Sequence, residues 1–318
     1  MPLGLQLLVP LVLLTWLAAK PPSSRIGFAL LVFATGTWLL AIALCGVWTF
    51  LPWWTPRLLA ALLLATAAWR GLTTRASASS SGATARIGAI ACIAIATIAL
   101  LAAATALVGR KAPRGPIAEI ASPFRDGTFL VVNGGSHAII NAHQKTLSTD
   151  EPRYRAWRGQ SHGVDLIGID ARGLRAPGLL PAEPSGYVGF GTALVAPCDG
   201  IVVRAVDGIR DNQVPKSNRE QMAGNHVTVR CDGFDIVLAH LRQGSVAVSE
   251  GDAVTAGKLL GELGNSGNSD EPHLHLHAQQ VAPPGDTFSP EPVPLRIDGR
   301  FPVRNDRLNG AALRRGRR

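Results

Sequence analysis

Residues Asp270 to Gln280, DEPHLHLHAQQ, carry three of the chain's eight histidines at two-residue spacing. Imidazole binds metals and exchanges protons near neutral pH, so the row invites both kinds of chemistry. On a β-strand, residues two apart share a face about 6 to 7 Å from one another. Zinc–imidazole bonds are about 2.0 to 2.1 Å, so one ion cannot take His273, His275 and His277 from a straight strand. The three must hold different jobs. A catalytic zinc wants three protein ligands and one open position. Two further segments offer groups: GQSHGVDLIGID, where Asp165 is a carboxylate inside an apolar strand pattern, and VLAHLRQG, where His240 ends an apolar run. Alone, such a residue is ordinarily a satisfied polar side chain. Four of them on strand ends of one domain argue for a site.

The elements that must position these groups lie after residue 109. TALVAPCDGIVVRAVDG reads as strand, Asp-Gly turn, strand, and NHVTVRCDGFDIVLAHL repeats the pattern. AVSEGDAVTAGKLLGELGNSG adds short elements between glycine turns. Short Val/Ile/Leu runs punctuated by Gly, Pro, Asn and Asp predict a mostly-β domain of antiparallel hairpins in a two-layer sheet. The polar stretch VDGIRDNQVPKSNREQMAG is long for a hairpin connection, and is read either as a groove wall or as a solvated insertion. Cys198 and Cys231 both fall in strand-like runs and are candidates for a disulfide in an oxidising compartment. Without CxxC spacing, a cysteine zinc site is disfavoured.

The first 109 residues are of another kind. They contain no Asp or Glu, six of the seven Trp, and six of the basic residues that make up the formal net charge of +9. Apolar runs at residues 3–19, 26–51 and 87–109 match the length that crosses a hydrocarbon layer of about 30 Å. A shorter run at 52–69, interrupted by Arg57, is read as a further span, giving an all-α bundle of about four transmembrane helices. Five of the six basic residues then fall in loops on one side, which places the polar domain on the other, in the periplasm or outside the cell. The basic charge is thus a feature of membrane topology and argues against nucleic-acid binding. The expected domains are transmembrane helices at 1–109, a linker at 110–128, the β domain at 129–295 and a basic tail at 296–318.

The stretch VLAHLRQGSVAVSEGDAVTAGKLLGELGNSGNSDEPHLHLH resembles the core of the lysostaphin-like (LytM class) zinc metallopeptidases. It shares Ala-His-Leu, Val-x-x-Gly-Asp-x-Val-x-x-Gly, Gly-x-x-Gly-x-Ser-Gly and Pro-His-Leu-His. GTALVAPCDGIVV is similar to the strand pair that precedes them there. The resemblance implies that Asp165 and His275 ligate Zn2+, that His240 and His273 assist catalysis beside it, and that His277 does neither. The family's first ligand histidine precedes the aspartate by four residues, where this chain has Ser161. His162, three before Asp165, falls on the opposite strand face. A bulge could turn His162 inward, the site could be degenerate, or another histidine could fill the gap. For the last, His143 in VVNGGSHAIINAHQ is the expected ligand, since a variant of the family carries Asn-x-His ahead of its aspartate strand. His137 and His226 are read as surface or structural residues.

The function implied is a membrane-anchored zinc metalloendopeptidase that hydrolyses peptide bonds by a zinc-activated water, with peptidoglycan or another peptide as substrate. The alternative is a non-catalytic domain of the same fold that binds cell wall or regulates a wall hydrolase. A cofactor-carrier hairpin, suggested by GDAVTAGKLLGELG alone, would leave the histidine row without a role.

Overall fold

The computed structural model describes residues 3–22, 24–73, 82–148, 150–283 and 285–310. The chain divides into two compact units, Met1–Val108 and Gly109–Arg318.

Among the described residues of the first unit four helices form, α1 (Leu3–Ala19), α2 (Arg25–Cys45), α3 (Thr55–Thr73) and α4 (Ala83–Gly109). Ser24 caps α2 by accepting the Gly27 N–H. Leu17, Leu31, Ile42 and Leu63 pack with Cys92, Ala96, Ala99 and Ala103 of α4, whose small side chains let neighbours approach closely. The second helix ends six residues earlier than its apolar run predicts. The Ile42 carbonyl accepts both the Gly46 N–H and the Trp48 indole N–H, at 2.9 and 3.2 Å, so the last turn is capped rather than continued. The third begins at Thr55 rather than residue 52, because Pro52 supplies the carbonyl that starts the turn. Among the described residues two helices, Arg25–Cys45 and Ala83–Gly109, are long and apolar enough to cross a membrane, against the four spans expected.

The second unit carries strands β1 (Ala118–Ile120), β2 (Thr128–Asn133), β3 (Val164–Ile169), β4 (Ala193–Val195), β5 (Gly200–Val206), β6 (Asn225–Cys231), β7 (Phe234–Leu241), β8 (Ala253–Val254), β9 (Leu259–Glu262), β10 (Leu274–Gln280), β11 (Pro292–Val293), β12 (Leu295–Ile297) and β13 (Arg307–Asn309). Its main sheet is antiparallel in the order β13-β2-β3-β10-β7-β6-β5-β8, with β11 added on β10. The antiparallel pair β4-β9 lies apart from it, and β1 pairs with β12 in parallel, a departure from the all-antiparallel expectation. Segments expected as linker and tail therefore hold strands: β1 lies inside 110–128, and β12 and β13 extend beyond 295 to pair with β1 and β2. Their apolar residues Ala118, Ile120, Ile297 and Leu308 are buried in the core, which charge counting overlooks.

Alternation divides the main sheet into two faces. Val164, Leu166, Leu274, Leu276, Ala278, Ile236, Leu238, Val227 and Val229 join Leu194 of β4 and Leu260 of β9 in one core. The other face carries Asp165 directly opposite His275, then Ala239, then His226, in one row across β3, β10, β7 and β6. Cys198 and Cys231 form a disulfide with Cα atoms 6.0 Å apart, tying the start of β5 to the end of β6. The long polar connection after β5 is tied down at Asp211 and Asn212, while many of its other residues are exposed. Asp211 accepts the N–H groups of Gln243 and Asn265, and Asn212 donates to the carbonyls of Asn265 and Gly267, fastening it to the GNSGNS loop.

Candidate metal centre

Asp165 sits at the middle of the site, buried on β3 between β2 and β10. Its Oδ2 lies 2.8 Å from Asn133 Nδ2 and 2.9 Å from His143 Nε2. Its Oδ1 lies 2.9 Å from His275 Nδ1 and 3.7 Å from His273 Nε2. Burial alone would raise the Asp165 pKa. The neighbouring imidazoles, His143 first and then His275 and His273, outweigh it, holding the carboxyl well below its ordinary value, so it is ionised near neutral pH.

His143 arrives from a 3-10 helix, Ala142–Leu147, whose start is set by its own sequence. Asn141 caps it by accepting the His143 N–H at 3.1 Å, while the Asn141 amide donates to the carbonyls of Gly135 and Gly163. Asn133 Oδ1 accepts from Ala142 N–H and from Arg304 Nη2. Arg304, buried, donates further to the carbonyls of Val132 and Ile139. The helix that presents His143 and the carboxylate that faces it are thus fastened by one polar network. Asn133 and Arg304 have no signal in the sequence; Arg304 comes from the segment expected as tail.

Beside β3 the backbone must come close to the imidazole of His275. A Cβ at Gly163 would lie 2.8 Å from His275 Cε1, so this position requires glycine. His162 ends the 3-10 helix Arg158–His162, and its Nδ1 lies 2.9 Å from Gln144 Nε2. It does not join the cluster; His143 does. The donor atoms of His143, Asp165 and His275 all lie within 4.8 Å of one another. Two imidazoles and one carboxylate are a donor set suited to zinc, with room for a fourth ligand. Each ring nitrogen that faces Asp165 can bind a cation once it carries no proton.

His240 and His273 flank this cluster, with ring centroids 4.8 Å apart and His240 6.0 Å from His275. Strict alternation along β7 would send His240 into the core with Ile236 and Leu238. Instead it adopts φ +65 and the β6–β7 register shifts, a bulge that sends Leu241 into the core and frees His240 for the site face. His240 Nδ1 lies 2.9 Å from the Ser266 carbonyl and His273 Nδ1 2.8 Å from the Glu271 carbonyl. A carbonyl only accepts, so each Nδ1 carries the proton and each neutral ring keeps its lone pair on Nε2. Burial, then the nearby His273 and His275, push the His240 pKa well down.

The remaining histidines divide. His137 is exposed and accepts the Ile139 N–H. His226 is buried with Nδ1 2.8 Å from the Gly224 carbonyl. His277, expected to have no part, is buried with Nδ1 2.9 Å from His275 Nε2.

Residues 187–287 match the profile of Peptidase family M23. The chain carries an M23 peptidase domain. The match includes His240, His273 and His275 and stops short of Asp165 and Asn133, which strand pairing brings beside them, and of His143, which the 3-10 helix presents. Among solved structures, the chain is similar to the catalytic domain of the antimicrobial peptidase lysostaphin from Staphylococcus simulans, at 22% identity over 38% of this chain and 67% of that one, with a TM-score of 0.25. It is similar also to a zinc-containing peptidase from Vibrio cholerae, at 19% identity over 36% of this chain and 26% of that one, with a TM-score of 0.24.

Proposed function

We propose that this protein is a membrane-anchored zinc metalloendopeptidase that cuts peptide bonds, those of peptidoglycan cross-links first. The observation that carries the reading is the meeting of His143, Asp165 and His275 from three separate elements, with His240 and His273 beside them, on an M23 domain. Zinc held by that triad would act as a Lewis acid, polarising the scissile carbonyl and lowering the pKa of water. His240 and His273 do the proton work. Each has Nδ1 committed to a carbonyl, so each Nε2 can accept a proton from the attacking water and, once protonated, donate to the oxyanion or to the leaving amine. The depressed pKa of His240 keeps it neutral, and able to accept, at physiological pH.

Helices α2 and α4 support the anchor. The Cys198–Cys231 disulfide supports an oxidising compartment, with the domain facing the periplasm or the cell exterior. Incubating the purified full chain in detergent with peptidoglycan, and following release of new amino groups, tests the function. Release should stop with a zinc chelator, return with Zn2+, and fall by about 10²- to 10⁴-fold in His240→Ala. Absent release, or release indifferent to the chelator, refutes the reading, and wall binding without release would favour a non-catalytic binding domain.

A further inference from the structure

His277 takes no part in the chemistry above, yet it is buried at the end of a directed chain of hydrogen bonds. Its Nδ1 lies 2.9 Å from His275 Nε2 and its Nε2 3.3 Å from Gln279 Oε1. The far end is anchored, because Gln279 Nε2 donates to the Thr287 carbonyl at 2.7 Å. That bond decides which way the amide faces. Its Oε1 is turned to His277, and an amide oxygen can only accept. Gly159 leaves the room for it, since a Cβ there would overlap Gln279 Oε1.

Direction then passes along the strand. His277 Nε2 must carry the proton it donates to Gln279, which leaves a bare Nδ1 in the neutral ring. That Nδ1 accepts from His275 Nε2–H, which in turn leaves His275 Nδ1 as a lone pair, 2.9 Å from Asp165 Oδ1. The three links between the Asp165 carboxylate and Gln279 Oε1 need three protons, and two neutral imidazoles supply two. The link left over is the one at Asp165, where a cation satisfies both partners. The opposite polarity, with His275 Nδ1–H donating to Asp165, would set the His277 Nε2 lone pair against Gln279 Oε1.

We propose that His277, oriented by Gln279, is a positioning residue that holds His275 as its Nε2–H tautomer and presents Nδ1 to the metal. The inference rests on the zinc reading of the triad. A ligating histidine is commonly oriented by a partner on its other nitrogen; here that partner is a second histidine whose own orientation is set two residues further along the strand.

The test uses the full chain in detergent with Zn2+ alone as the probe. Nitrogen NMR of the zinc-loaded chain, with only histidine rings labelled, should show the His277 proton on Nε2 and a pyridine-like Nδ1. A proton on Nδ1 overturns the proposal. Zinc affinity, read by competition with a chromophoric chelator, should fall about 10- to 100-fold in His277→Leu. It should stay near the parent value in His277→Asn, whose Oδ1 can take the place of the accepting Nδ1. Equal affinity of the two variants overturns it as well. Should the parent chain bind no Zn2+, the metal reading falls and the inference with it; should the parent bind and the variants not differ, the inference alone falls.

Discussion

Substituting His143 and His162 one at a time distinguishes the two histidines that the sequence leaves in competition. His143 Nε2 lies 2.9 Å from Asp165 Oδ2, inside a group of donor atoms within 4.8 Å of one another. Removing it takes away one of three ligands. Loss of a group that merely orients a ligand costs about 10- to 100-fold in affinity, so loss of the ligand itself should exceed about 100-fold, or about 2.7 kcal/mol. Among the described residues His162 Nδ1 lies 2.9 Å from Gln144 Nε2, and that amide keeps the Ser161 carbonyl at 2.7 Å as a second partner. His162→Ala should therefore cost about 0.5 to 1.5 kcal/mol of stability and leave zinc binding near its parent value. Equilibrium dialysis for stoichiometry, with chelator competition for affinity, reads both variants of the full chain. Loss of zinc in His162→Ala with retention in His143→Ala would refute the ligand geometry.

Two further outcomes follow from groups outside the triad. His162 and His226 have pKa values pushed down by burial, so the unfolded chain, near about 6.5, binds protons more readily than the folded one. Their contribution to stability is fully present above about pH 6.5 and is lost as pH falls through the folded-state values; melting of the metal-free chain between about pH 7.5 and 5 should show a falling midpoint, and an unchanged one would contradict the burial argument. The Cys198–Cys231 bridge closes a loop with a sequence separation of 33, for which loop entropy gives about 3.5 to 4 kcal/mol. Replacing both cysteines by serine should lower the urea midpoint accordingly, and addition of reductant should do the same to the parent chain.

Much of the sheet was legible because strand periodicity is local. Two-residue spacing places His273, His275 and His277 on one face of β10, and the carboxylate in an apolar run marks Asp165. The boundaries at residues 52, 128 and 295 were less legible. Strands of two or three residues such as β1, β12 and β13 carry too little periodicity to register, and they exist because partners distant in sequence complete their hydrogen bonds. Membrane helices suffered the converse error: an unbroken apolar run says nothing of where a carbonyl is capped, and Gly46 with Trp48 ended α2 at Cys45.

By itself, the sequence determined the division into an apolar, acid-free N-terminal part and a strand-rich part with every histidine, and it named the residues among which a site had to be sought. Only the tertiary structure decided how they meet. His143 reaches Asp165 because Asn141, Asn133 and Arg304 fix a 3-10 helix beside β3, and those residues are separated by as many as 171 positions. His240 reaches the site face because a bulge overrides alternation, and His277 turns from a bystander into a partner of His275 because Gln279 is anchored by Thr287. Alternation along one strand is a local property of extended backbone, readable from spacing. Which nitrogen faces which oxygen depends on hydrogen bonds that close only when the whole sheet has assembled.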